Sequence, residues 1–238
     1  MTGMHDFDWA VMGWLNQLVG RYPVFDSVVR QGNEWYFYRS GWMVCILLWA
    51  WFTFKDVDSR LKIISGMVGL FVATAVSRAM QLFVFVHTRP FNHAQEFGLT
   101  LPANLDTHWG LRSSFPSDTA TLYFALAAII FTVLRRWGWV AFAWVAVVIA
   151  LPRVYLTYHH ASDIIAGAIL GIGCVTLAQH YRHVTSGYPR VLRLETVAPQ
   201  LFYPLVFVGL YQITDSFGAV EQGLHGVSRL MHVMRGVG

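Results

Sequence analysis

Long apolar runs separated by short polar breaks dominate the chain, and the lengths of those runs decide the architecture. A helix rises ~1.5 Å per residue, so ~20 apolar residues cross ~30 Å of hydrocarbon. Runs approaching that length occupy about 35–54, 63–86, 117–134, 139–158, 163–180 and 198–214. Ahead of them, residues 7–20 place Val11, Trp14, Leu15, Leu18 and Val19 on one stripe, with Asn16 and Gln17 opposite. That is the pattern of an amphipathic helix lying in a membrane surface, and Pro23 ends it. Residues 220–234 repeat the pattern at the other end. The predicted fold is an all-α integral membrane protein. It has an amphipathic interfacial segment at 1–34, a transmembrane domain of six helices in one bundle at 35–217, and an amphipathic tail at 218–238.

Composition supports the membrane class. The chain is 55% hydrophobic, only 13% charged, and has a mean hydropathy of +0.47, which excludes an ordinary soluble domain. The net charge of +4 with ten tryptophans fits basic loops and aromatic interfacial belts. No basic run extends beyond Arg135-Arg136, so a nucleic-acid partner is not expected. Cys45 and Cys174 both fall inside apolar runs, which argues against a disulfide framework or a thiolate metal centre. The acidic N-terminus has no long apolar core before residue 35, so no cleavable signal peptide is expected and the first span serves as the insertion signal. Nothing in the sequence marks an oligomeric surface.

Basic residues set the expected orientation. Lys55, Arg60, Lys62, Arg135, Arg136, Arg182, Arg190 and Arg193 all follow the first, third and fifth spans, which places those segments in the cytoplasm. The 87–116 loop, the corner after the fourth span and both termini then lie on the extracytoplasmic side. Arg21, Arg30 and Arg39 run against this assignment.

Three polar clusters fall on that outer side: Thr88-Arg89-Pro90, Phe115-Pro116-Ser117-Asp118-Thr119, and Arg153 through Asp163. Taken singly, each has a plain explanation. Ser117 and Asp118 read as a helix cap, Arg89 as a snorkelling interfacial arginine, and His159 with Asp163 as a solvated pair. Taken together they make a site for an anion. His159 and Asp163 are four residues apart, so on a helix the carboxylate can hold one imidazole nitrogen. Arg153 offers a planar fork of donors suited to phosphate, and a helix N-terminus at Ser117 adds free N–H groups and a positive dipole end.

These clusters resemble the three signature motifs of the type 2 phosphatidic acid phosphatase family, membrane lipid phosphatases related to vanadium haloperoxidases. The third family motif, S-R-x5-H-x3-D, stands here as PRVYLTYHHASD. The second, P-S-G-H or P-S-D-H, stands as PSDT. The first, K-x6-R-P, retains Arg89-Pro90 with Leu82 at the lysine position. The resemblance covers about 60–180. The FPSD string and the Asp-Ile-Ile-Ala-Gly continuation at 163–167 are similar to the branch of bacterial undecaprenyl-diphosphate phosphatases.

The resemblance implies that His159 is the nucleophile and Asp163 its orienting partner. Arg89, Arg153, Ser117 and the N–H groups of Asp118 and Thr119 would bind the phosphate oxygens. It implies no cofactor and no metal, and no metal-ligand spacing occurs in the sequence. The substrate would be a polyprenyl or other lipid phosphate at the periplasmic face of a bacterial inner membrane, with membrane lipids as further partners.

Two departures narrow this expectation. Thr119 stands where the family has a histidine that protonates the leaving oxygen. Losing a general acid typically costs ~10²–10⁴ in rate. The loss is severe for an alcohol, whose pKa is near the ~16 of water. It is mild for a phosphate leaving group, whose second pKa is about 6. A diphosphate lipid is therefore favoured over phosphatidic acid, and His93, His108 and His160 are candidate replacement acids. Leu82 removes a cation, and Arg78 is the nearest basic residue on the second span. If the helix continued to Arg89, Arg78 would lie ~16 Å below it, either in an interior pair or along the substrate path. Pro152 replaces a serine and is expected to kink the fourth span. Gly167 and Gly171 form a small-residue stripe for close packing. The alternatives are a phosphotransferase of the same fold, or a lipid-phosphate-binding or transport protein with weakened catalysis.

Overall fold

The computed structural model describes residues 2–35, 37–84, 86–103, 105, 113–184 and 187–215. The predicted C-terminal amphipathic helix at 220–234 lies outside them. Every regular element described is helical.

The order is α1 (Thr2–Asn16), α2 (Pro23–Glu34), a π-helical turn Phe37–Gly41 that runs into α3 (Trp42–Thr53), α4 (Val57–Phe83) and a short 3₁₀ turn Pro90–His93. Next come α5 (Asp118–Val133), α6 (Arg135–Trp144), a π-helical turn Val145–Ala150, α7 (Leu151–Tyr155), α8 (Ala161–His180), α9 (Gly187–Val197) and α10 (Pro199–Thr214). Val57–Phe83, the continuous stretch Arg135–Tyr155, and Ala161–His180 are long and apolar enough to cross a membrane.

Helix α5 is the centre of the bundle. Residues Thr119–Tyr123 and Ala125–Ile130 are all buried, because α5 packs against α3, α4, α6 and α8. Such all-round burial explains why its sequence shows no amphipathic stripe. Its start is capped by Ser117, whose Oγ accepts from the Ala120 N–H at 3.3 Å. Helix α4 starts earlier than the hydropathy suggests, because Asp56 accepts from the Ser59 N–H at 2.8 Å and caps a polar first turn. It also stops earlier, at Phe83, so Arg89 is not on the same helix as Arg78.

Around Pro152 the fourth long helix changes pitch rather than breaking. Proline has no N–H to return to the preceding turn, and the six residues Val145–Ala150 adopt the wider π geometry. Two helices emerge that the hydropathy pattern leaves as loops. Pro23, read from the sequence as a terminator, is the first-turn proline of α2. The basic stretch after α8 forms α9, where Arg60 and Glu195 pair at 2.6 Å.

The N-terminal helices pack beside the polar end of the bundle. Met12, Leu15 and Val19 are buried in a cluster with Val154, Tyr155, Tyr158 and Ile164. Asp8 ties α1 to the start of α8, accepting from the Ser162 N–H at 2.8 Å and its hydroxyl at 2.6 Å. The Tyr155 hydroxyl donates to Asp26 on α2.

Helix α8 approaches α5 so closely that a Cβ at Gly167 would sit 2.5 Å from the Ser117 carbonyl oxygen, and one at Gly171 would collide with that of Thr121. By contrast, nothing lies within 4 Å of a Cβ at Gly173. Gly171→Ala is therefore expected to lower stability by ~1–3 kcal/mol, whereas Gly173→Ala is neutral or slightly stabilising. Thermal unfolding of both variants in one detergent checks the contrast, and equal midpoints would contradict it.

Candidate functional site

The polar end of the bundle gathers residues from the ends of four elements. Beyond α4, residues 86–89 form no regular element. Ser77 and Gln81 on α4 bind the Pro116 carbonyl at 3.2 and 2.6 Å, which pins the 113–117 segment over that end. The Ser114 N–H donates to the His87 carbonyl at 3.1 Å, and the Ser117 N–H to the Asp163 carbonyl at 3.1 Å. These bonds join all three sequence clusters into one frame.

His159 sits at the middle of it, 1% exposed. Its Nδ1 is 3.0 Å from the Ser114 carbonyl and 3.6 Å from Asp163 Oδ2. A carbonyl only accepts, so Nδ1 carries the proton and Nε2 carries the lone pair. Nε2 lies 3.3 Å from Nη1 of Arg89, which also donates to the Tyr158 carbonyl at 3.1 Å. Burial and the positive charge of Arg89 hold the His159 imidazole below its ordinary pKa, against the opposing pull of Asp163.

Asp163 Oδ2 also accepts from the His160 N–H at 2.9 Å, so it orients the histidine loop and starts α8 together. The Arg153 carbonyl accepts from the Tyr158 and His159 N–H groups at 3.0 and 3.3 Å, and its guanidinium carbon lies 5.6 Å from the Tyr158 ring centre. Arg153 Nε is buried with no hydrogen-bond acceptor among the described residues, a donor that suits an anion.

The predicted residues meet at this end of the bundle, with one difference from the expectation. The Thr119 N–H, expected to face phosphate, is taken by Asp118 Oδ1 at 2.8 Å. Asp118 Oδ2 pairs with Arg78 at 3.2 Å, so Arg78 holds the start of α5. It reaches that position because α5 packs along α4. Leu82, at the position of the missing cation, faces outward with 59% exposure.

The candidate replacement acids lie elsewhere. His93 binds Thr88 at 2.6 Å and Glu96 at 3.0 Å, and His160 faces Asp163. His108 falls outside the described residues.

Three residues escaped the sequence reading. His87 lies 3.4 Å from Asp163 Oδ1 and 2.9 Å from Ser114 Oγ; burial lowers its pKa. Its place two residues before Arg89 was the only available signal. Asp8 gave none, because its partner lies 154 positions away. Arg39 looked like a loop charge, but it is 2% exposed, with its guanidinium 5.7 Å from the Tyr123 ring.

Comparison with known proteins defines the class. The family model of the PAP2 superfamily matches residues 62–185, over half of the 238-residue chain, and the chain belongs to this superfamily. It is 32% identical over 136 residues to the "Putative undecaprenyl-diphosphatase YbjG" of Escherichia coli (strain K12). That match covers 56% of this chain and 63% of the relative, so it spans less than two thirds of the relative's length. It is also 26% identical over 161 residues to the "Bacitracin transport permease protein BcrC" of Bacillus licheniformis, covering 67% of this chain and 72% of the relative. No solved structure matches.

Proposed function

We propose that this chain is a membrane phosphatase that removes the terminal phosphate of a polyprenyl diphosphate through a phosphohistidine. The observation that carries this reading is the polarity of His159, with Nδ1 toward Ser114 and Asp163 and Nε2 toward Arg89. Nε2 attacks the terminal phosphorus, the bridging P–O bond breaks, and the polyprenyl monophosphate leaves with the bonding pair. Water then attacks the phosphohistidine, and inorganic phosphate and free imidazole result. Arg89 and Arg153 stabilise the charge that develops on the transferred group. Asp163 stabilises the imidazolium.

Thr119 offers no acid, and a phosphate leaving group needs none near neutral pH. The undecaprenyl-diphosphatase name of the first relative supports the same substrate class.

The chain would cross the membrane six times, at residues 37–53, 57–83, 118–133, 135–155, 161–180 and 199–214. The end bearing Arg60, Lys62 and Arg182 would face the cytoplasm and the His159 end the periplasm. Arg39 does not oppose this orientation, since it is buried in the bundle rather than in a flanking loop.

Phosphate release from undecaprenyl diphosphate and from phosphatidic acid, assayed on purified protein in detergent, tests the reading. Release from the diphosphate is expected to be much the faster. Release no faster than a no-protein control from every lipid sinks it. A transport or binding role is the second reading, favoured by Thr119 and by the permease name of the other relative. It predicts saturable binding of the lipid without release.

The pH profile follows from the lowered pKa of His159. The neutral imidazole is the nucleophile, so activity persists as pH falls past the ordinary histidine value and is lost only below it. The acid limb of kcat/KM is therefore expected under ~6.5, and a limb above 7 would contradict the assignment.

A further inference from the structure

No metal-ligand spacing occurs in the sequence, yet the fold assembles one triad that has it. His87 comes from the irregular segment after α4, His160 from the loop before α8, and Asp163 from the first turn of α8. One ligand atom from each lies within 4.8 Å of the other two. We infer that His87, His160 and Asp163 bind a divalent transition-metal cation of the zinc class, and that the bound cation silences His159.

The geometry fits. His87 Nε2 lies 3.4 Å from Asp163 Oδ1, and His160 Nδ1 lies 3.5 Å from Asp163 Oδ2. Zinc holds nitrogen and oxygen at ~2.0–2.1 Å in a tetrahedron with edges of ~3.3–3.5 Å. Each histidine stands at that separation from one of the two oxygens of the carboxylate, and the three ligand atoms, within 4.8 Å of one another, need only a small inward turn. Imidazole with carboxylate selects zinc-like ions over magnesium or calcium.

Two buried atoms of the triad point to a ligand as well. His160 Nδ1 and Asp163 Oδ1 make no hydrogen bond among the described residues, although their residues are 4% and 0% exposed. An outer partner is also in place: His87 Nδ1 lies 2.9 Å from Ser114 Oγ, and with the ring proton donated to that oxygen the Nε2 lone pair is available to a cation. The His87 side chain is 25% exposed, which gives an ion a way in and a water molecule the fourth position.

Inhibition follows from the shared carboxylate. Asp163 Oδ2 lies 3.6 Å from His159 Nδ1. A cation on Oδ1 cancels the charge that Asp163 lends to His159 as the imidazole becomes positive. This half rests on the phosphatase reading above; metal binding itself does not.

The test uses the full chain in detergent after chelator treatment, titrated with Co²⁺ as a spectroscopic probe and with Zn²⁺ by calorimetry. His87→Ala and His160→Gln are run alongside, with thermal unfolding in chelator to confirm that each is folded. One Co²⁺ per chain is expected, with the visible bands of a four-coordinate site and displacement by Zn²⁺. Each variant should weaken binding at least ten-fold. Phosphate release should fall along the same Zn²⁺ binding curve, shifted at least ten-fold in His87→Ala.

Absence of a one-to-one site, or unchanged affinity in both folded variants, overturns the site. Binding without loss of phosphate release overturns the inhibition. A chain that binds Co²⁺ but never releases phosphate keeps the site, and removes both the inhibition and the proposed function.

Discussion

His159→Ala is expected to reduce phosphate release from undecaprenyl diphosphate to the no-protein rate, a loss of at least ~10⁴-fold. The size follows from how little stands in for the imidazole. Its Nε2 is the lone pair presented to Arg89, and the neighbouring His160 turns its ring to Asp163 instead. The fold should tolerate the change. Asp163 keeps the His160 N–H and the contact with His87, and Arg89 keeps the Tyr158 carbonyl. Single-turnover phosphate release, with thermal unfolding in parallel, separates lost chemistry from lost structure. Residual activity near a tenth of the parent would move the nucleophile to another residue.

Thr119→His should act in the opposite direction and only on one class of substrate. Release from phosphatidic acid is expected to rise by ~10²–10⁴-fold, the usual contribution of a general acid. Release from undecaprenyl diphosphate should change far less, because its leaving group departs unprotonated. Asp118 makes the new imidazole a usable acid. Its carboxylate, held by Arg78 at 3.2 Å, would sit beside the ring and raise its proton affinity. Thr119 is 5% exposed, so the ring must displace neighbours, and a modest loss of stability accompanies the gain. The ratio of the two kcat/KM values is the measurement. An equal gain on both lipids would mean that Thr119 governs something other than proton delivery.

What the sequence could convey depended on range. The spans α4 and α8 were legible because each is a continuous apolar stretch, and the gathering of Arg89, Ser117, Arg153, His159 and Asp163 at one end was legible from their helix-end positions. Helix α2 was not, since Pro23 is equally a stop for one helix and the first turn of the next. Helix α9 was hidden because Arg190 and Arg193 interrupt its apolar positions, and its partners lie on another element. Within the site, the fate of the Thr119 N–H turned on a side chain one residue away, which spacing cannot orient. The roles of Arg78 and His87 needed the point where α4 ends, and hydropathy placed that end beyond Phe83.

The bond between Asp8 and Ser162 also sets an order of assembly. Its two ends are separated by 154 positions, so during synthesis α1 waits for the start of α8 before its buried carboxylate has this partner. At ~5–20 residues per second that interval lasts ~8–30 s. Until then Asp8, buried in the complete fold, must stay solvated or find another partner, so α1 docks only after the start of α8 has been made. Docking of α1 is thereby coupled to synthesis of the corner that carries His159 and Asp163.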